Sequence, residues 1–297
     1  MDLGNLINGN CYHICTNGHD TPILMKDDDD FRTVCNFIAI LSWKLKIDII
    51  AFIIMSNHLH TLIICKDRPT AEKFIRLLKQ EISTYLMNRY GIHGCFDGIG
   101  HSISLVDSEK YMQNCIAYIL RNAICAKVCR RIEDYPWSSY SAYFSKYNNK
   151  NLRSVSSLGV RERRRVLKSR YSLNDTPFLI DENGRIESRS FVRYDIVEKM
   201  FHNSGKMFLT YLGRCNDSHM EYELAIKPQI KIDDLGLVDS VEKLVATWFN
   251  GRGLAELSTG DKCRMIKNLY FNNKTSIPQL SRILGLPKDL VSKVLSS

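Results

Sequence analysis

Met55-Ser56-Asn57-His58-Leu59-His60 lies inside an apolar run from Ile47 to Cys65. The residues before it, Ile49-Ile50-Ala51-Phe52-Ile53-Ile54, and after it, Thr61-Leu62-Ile63-Ile64, read as two buried strands. Ser56-Asn57 supplies the turn chemistry between them. Side chains alternate along a strand, so His58 and His60 point to one face and Leu59 to the other. Two imidazoles side by side on a rigid strand can fill two positions around a metal. The others are left for water, a third protein ligand and a substrate oxygen. The same spacing also suits two partly exposed histidines on an edge strand, because His-x-His alone is a common pattern.

Working outward, Asn10 to Thr16 (Asn-Cys-Tyr-His-Ile-Cys-Thr) reads as a first strand closed by Asn17-Gly18. The acidic run Asp27 to Asp30 suits a hard-cation site or, more simply, the capped N-terminus of a helix from Phe31 to Lys46. Val34, Phe37, Ile38 and Leu41 would form its buried face. Pro69-Thr70 opens a second helix, Ala71 to Tyr90, with Phe74, Leu77, Leu78 and Ile82 on one side and Gly91 as its stop. After a loop containing Gly94, Gly98 and Gly100, His101 to Val106 reads as a fourth strand. This order predicts an α+β, ferredoxin-like fold: an antiparallel sheet with helices on one face. Asp107-Ser108 then caps a helix from Glu109 to Val128, on which Tyr111, Cys115, Tyr118 and Asn122 share a face. Beside a two-histidine site, Tyr118 and Asn122 could serve as nucleophile and third metal ligand. They also fit a core aromatic and a helix-surface amide.

The 297 residues suit about two domains. With 41 basic and 32 acidic residues the net charge is +9, which favours an anionic partner, nucleic acid first. The ten cysteines include no Cys-x-x-Cys, Met1-Asp2-Leu3-Gly4-Asn5 does not read as a secretory signal, and no apolar run reaches the roughly 18 residues of a membrane span. A cytoplasmic protein with reduced cysteines and no membrane partner is expected. Cys11/Cys15 and Cys125/Cys129 have loose zinc-like spacing but no second pair at a usual distance.

Four stretches together resemble the HUH single-tyrosine transposases, and most closely the REP-associated tyrosine transposases. Met55-Ser56-Asn57-His58-Leu59-His60 is similar to the Met-Pro-Asn-His-hydrophobic-His signature, and Tyr12-His13-Ile14 to the first strand. Tyr118-Ile119-Leu120-Arg121-Asn122 with Ala126 is similar to the Tyr-Ile-His-Leu-Asn-Pro-x-x-Ala stretch. Tyr135-Pro136-Trp137-Ser138-Ser139-Tyr140 is similar to the end of the catalytic domain. The resemblance covers roughly residues 10–145 and implies a metal-dependent endonuclease and strand transferase acting on single-stranded DNA beside a hairpin, with REP-like palindromes as partners. It implies that His58, His60 and Asn122 bind Mg²⁺ or Mn²⁺, that Tyr118 forms a 5′-phosphotyrosine, and that Arg121 and Lys127 contact DNA. Ser56 stands where the family has proline, and the loop before His101 lacks a basic residue. Ala123 replaces the proline after Asn122, so the helix is expected to run on further.

The catalytic domain is thus expected over 1–147, ending near Asn148-Asn149-Lys150-Asn151. A linking, mostly helical region is expected over 148–237. In it, Arg163, Arg164 and Arg165 suit a contact with backbone phosphate or a solvated basic face. Asp181-Glu182-Asn183-Gly184 reads as a hairpin turn, and Phe191 to Phe208 as helical. Residues 238–297 read as an all-α bundle. Within it, Ser276 to Leu286 and Pro287 to Leu295 form helix, Gly285 turn, helix, which resembles a helix-turn-helix, with Lys288 and Lys293 on the second helix. A monomer is expected. The rival from another class is a non-catalytic, sequence-specific DNA-binding regulator that keeps the fold.

Overall fold

The computed structural model describes residues 7–18, 21–145, 151–214, 232, 234–249, 252–273, 275 and 277–296. The expected boundary at Asn148-Asn149-Lys150 and the helix start at Ser276 lie outside them. The elements run β1 (Asn10–Thr16), α1 (Asp28–Leu45), β2 (Asp48–Ile54), β3 (Leu59–Cys65), α2 (Arg68–Tyr90), β4 (His101–Val106) and α3 (Glu109–Cys125). The strands form an antiparallel sheet in the order β2-β3-β1-β4. This α+β arrangement is compatible with a ferredoxin-like domain.

The helices do not all lie on one face. α1 and α2 pack together on one side, and α3 packs on β2 and β3 from the other. The reason is visible in β3, which is buried at every position. A strand with two apolar faces needs a layer on each. α3 also stops at Cys125 rather than running to Val128. Its end is a left-handed cap at Lys127 (φ 58°), with the Val128 N–H donating to the Ala123 carbonyl at 2.9 Å and the Lys127 N–H to Ile124.

α1 begins at an N-cap, Asp27, whose carboxylate accepts the Asp30 N–H. Asp30 itself does something capping does not explain. Its fully buried carboxylate accepts from Arg89 (2.6 Å), Tyr85 (2.8 Å), Tyr90 (3.0 Å) and the Lys26 N–H (2.8 Å), tying α1 to the end of α2. Burial pushes the Tyr85 phenol up to about 12, and the Asp30 carboxylate adds to it.

The exposed edge of β2 is sealed by later chain. The Ile54 N–H donates to Trp137 O (2.9 Å), the Phe52 N–H to Ser139 Oγ (3.0 Å), Tyr135 Oη to Ile54 O (2.6 Å) and the Arg193 N–H to Ile49 O (2.8 Å). The Tyr135–Tyr140 stretch therefore serves here as an edge guard, which removes a template for strand-to-strand association.

Past it lie β5 (Arg153–Ser154), α4 (Val160–Leu167), β6 (Leu179–Ile180), α5 (Tyr194–Met200) and α6 (Gly205–Arg214). The expected mostly helical stretch thus contains a small two-stranded sheet. The expected helix from Phe191 to Phe208 is split into α5 and α6 by left-handed His202 and Asn203. The hairpin turn at Asp181–Gly184 is present, with Gly184 at φ 84°. It is clasped by buried Asn36 of α1, which donates to Gly184 O (2.9 Å) and accepts the Ile186 N–H (2.8 Å). The C-terminal helices α7 (Asp234–Trp248), α8 (Thr259–Asn273), α9 (Ile277–Leu284) and α10 (Lys288–Ser296) share a separate apolar core that includes Val241, Ile266, Leu280 and Val291. Gly285, at φ 65°, turns α9 into α10.

Removing Arg89 leaves the Asp30 charge buried with neutral donors only. Arg89→Met is therefore expected to lower the unfolding free energy by about 2–3 kcal/mol in urea denaturation. A loss below about 0.5 kcal/mol would show that the tyrosines and the backbone suffice.

Candidate active site

The turn between β2 and β3 is tied down from several sides. The Met55 N–H donates to His58 O (2.8 Å), and the N–H groups of Leu24 and Met25 both reach Ser56 O (2.8 and 3.0 Å). Asn57 Nδ2 donates to Gly18 O (3.0 Å), and the Leu59 N–H to buried Thr16 Oγ1 (3.0 Å). His58 therefore sits at the end of the turn, one residue before β3 begins, rather than within the strand.

β3 is an interior strand, so the edge-strand alternative for the histidines falls away. Its register with β1 sets Cys15 opposite His60 and His13 opposite Leu62. Residues directly opposite share a face. Cys15, His13 and His60 thus all point toward α3. His60 and His13 are buried at 0% and 1% exposure, and Tyr118 at 5%.

Four rings meet there. His58 and His60 have centroids 5.3 Å apart and nearly perpendicular planes. His60 Nδ1 lies 3.2 Å from His13 Nε2, and His60 Nε2 lies 3.8 Å from Cys15 Sγ. Tyr118 stands edge-on to His60 at 5.4 Å and to His13 at 6.2 Å. The structure thus brings together His58, His60 and Tyr118 from three separate stretches of sequence. Asn122 follows Tyr118 by one turn, but its amide donates to the Tyr118 carbonyl on its own helix (2.9 Å). A cavity of about 460 Å³ opens beside His58, lined in part by Asn57, Met25, Met55, Phe31 and Trp137.

His58 Nδ1 is 2.7 Å from Asn57 Oδ1. An amide oxygen only accepts, so Nδ1 carries the proton and Nε2 the lone pair. That tautomer suits a metal ligand. Among the described residues no group of three His, Cys, Asp or Glu is arranged to hold a metal ion. Two imidazoles are a partial donor set, which fits a divalent ion that keeps its other positions for water or phosphate oxygen.

The basic residues are placed unevenly. Arg121 donates to Leu212 O of α6 at 2.9 Å, and Arg163 is buried with Asn174 Oδ1 at 2.8 Å, so both brace the fold. Arg164, Arg165, Lys127, Lys288 and Lys293 are exposed. The nine described cysteines are free, six of them buried. No helix among the described residues is long and apolar enough to cross a membrane.

No family model and no curated protein matches the chain. A solved structure of a REP-associated tyrosine transposase bound to a REP hairpin is similar to part of it, with 14% identity over 45% of this chain and 78% of that one and a TM-score of 0.36. The relationship is distant.

The residues that sequence reasoning left without a role are His13, Cys15, Thr16 and Asn57. The alternation of β1 puts His13 and Cys15 on one side, but only the β1–β3 register shows that this side is the one His60 faces. Burial pushes the His13 imidazole down to about 4, below its usual 6.5. The folded state then binds its proton less readily than the unfolded chain. Its contribution to stability is intact above pH 6.5 and is lost as the pH falls toward 4, by up to about 3 kcal/mol. Urea melts at pH 7.5 and 4.5 are expected to show that loss, and His13→Gln, which cannot titrate, is expected to flatten it.

Proposed function

We propose that this chain is a metal-dependent endonuclease and strand transferase of the HUH tyrosine transposase type, acting on single-stranded DNA next to hairpins such as REP-like palindromes. The observation that carries the reading is the meeting of Tyr118 on α3 with His60 on β3, rings 5.4 Å apart, with His58 beside them. The four ordered sequence matches support it independently of that contact.

In this reading Tyr118 Oη attacks the scissile phosphorus. A bond forms between phenol oxygen and phosphorus, and the bond from phosphorus to the 3′ oxygen breaks. The phenol proton passes to water and the leaving 3′ oxygen takes one up. The 5′ end stays on Tyr118 as a phosphotyrosine, and because one phosphodiester replaces another, a second 3′-OH can reverse the step at a new end. A free phenol has a pKa near 10, so the step needs help at neutral pH. His58 and His60 would hold Mg²⁺ or Mn²⁺, which supplies charge neutralisation at the phosphate and lowers the cost of the phenolate. The helix α3 holds Tyr118 in place against His60, so little conformational freedom is left to lose when substrate binds.

Exposed Arg164, Arg165 and Lys127 would contact the DNA backbone. The α9–Gly285–α10 unit, with exposed Lys288 and Lys293, would act as a helix-turn-helix and contact duplex DNA. A cytoplasmic monomer suits this work.

One observation favours a second reading. The Asn122 amide is spent on its own helix rather than turned to the histidines. A DNA-binding regulator that keeps the fold without the chemistry would tolerate that.

Hairpin-bearing single-stranded oligonucleotides incubated with Mn²⁺ separate the two. A covalent protein–DNA adduct is expected on denaturing gels, absent with chelator and reduced at least 10³-fold in Tyr118→Phe, in line with loss of a nucleophile. Binding with no adduct across a broad panel would favour the regulator. An adduct that survives Tyr118→Phe would move the nucleophile to Tyr111.

A further inference from the structure

We propose that His13 is a positioning residue of the histidine pair: its Nε2 accepts the Nδ1–H of His60 and holds His60 in the tautomer that offers its Nε2 lone pair to a divalent cation. The inference rests on reading His58 and His60 as metal ligands.

A neutral imidazole has one N–H, and the partner of one nitrogen decides what the other can do. At His58 the decision is local. Asn57 Nδ2 is fixed on the Gly18 carbonyl, which turns Oδ1 toward His58 Nδ1. At His60 the partner comes from another strand. The His13 and His60 rings lie within 7° of parallel, with centroids 5.4 Å apart and facing nitrogens 3.2 Å apart. That centroid separation is what two rings and one N···N contact span end to end, so the pair is joined by an in-plane hydrogen bond rather than stacked face on face. Such a bond fixes the rotation of the His60 ring as well as its proton.

The other side of His60 offers a weaker claim on the proton. Nε2 faces the Cys15 sulfur at 3.8 Å, a long contact to a poor acceptor. The nitrogen of His13 is the stronger acceptor and the nearer one. A ring that binds a cation through Nε2 must carry its proton on Nδ1, and at a site with 0% exposure that proton needs a protein acceptor. His13 is itself buried, and Tyr118 stands edge-on to both rings. The joint is therefore closed to water, and the nucleophile packs on the pair whose orientation it depends on.

Two measurements on the full chain test this. ¹⁵N NMR of the histidine-labelled, metal-free protein is expected to show His60 as the Nδ1–H tautomer. An Nε2–H His60 would overturn the proposal. Titration with Mn²⁺ alone is expected to give a Kd raised about 10–100-fold in His13→Phe, the usual effect of losing an outer partner of a ligating histidine. His13→Gln keeps an acceptor oxygen and is expected to stay within about threefold of wild type. An unchanged Kd in His13→Phe would overturn the proposal, as would equal losses in both variants, which would make His13 a packing residue. Neither measurement involves DNA, so a missing phosphotyrosine adduct would count against the nuclease reading and leave this one standing. If wild type binds no Mn²⁺, the ligand reading fails, and the NMR still decides whether His13 sets the His60 tautomer.

Discussion

The register of β1 against β3 is the constraint on which the rest of the molecule depends. With Cys15 opposite His60 and His13 opposite Leu62, three polar side chains share a face that is otherwise apolar. Side chains alternate, so a slip of one residue would send His60 to the α1–α2 side and bring Thr61 to the α3 side. The register is pinned where it matters most, next to the turn. Thr16 takes the Leu59 N–H, and Asn57 takes the Gly18 carbonyl. These bonds join the end of β1 to the start of β3, and they are made by residues whose short polar side chains bond readily to nearby backbone.

Given that register, the second layer follows. A buried β3 cannot leave one face wet, so α3 must cover it, and the amphipathic face of α3 carries Tyr118 onto His60. Burying three polar rings is costly unless they satisfy one another. Here the imidazoles bond in pairs, and the phenol adds edge-to-face contacts. The polar cluster is thus both the least stable part of the core and the part with the most reactive groups. The Asp30–Arg89 network on the other side of the sheet, and the edge guard over β2, hold the frame around it.

Charge alone was a poor guide to which basic residues are free for a partner. Arg121 and Arg163 read as plainly cationic as their neighbours, yet each is turned inward onto a carbonyl or amide oxygen. A guanidinium has five donors in a rigid fork and can brace packed chain as well as bind phosphate. Position on a helix face separates the two uses, and Arg163 falls on the buried face of α4 while Arg164 and Arg165 do not.

The sequence by itself determined the elements of the first 125 residues. Period-two apolar runs, capping aspartates and serine, and Gly91 mark strands and helices within a few residues, because those signals act over a few residues of chain. It also determined that His58, His60 and Tyr118 belong together, through their resemblance to one motif set. Only the tertiary structure decided the end of α3, the split of α5 from α6, the inward turn of Asn122, and the pairing of His13 with His60. Each of these depends on contacts between residues far apart in sequence or on a choice among local hydrogen bonds of similar strength. Periodicity carries no information about which strand lies beside which. His13 and His60 are 47 residues apart, and it is the antiparallel pairing of their strands that brings their nitrogens to 3.2 Å.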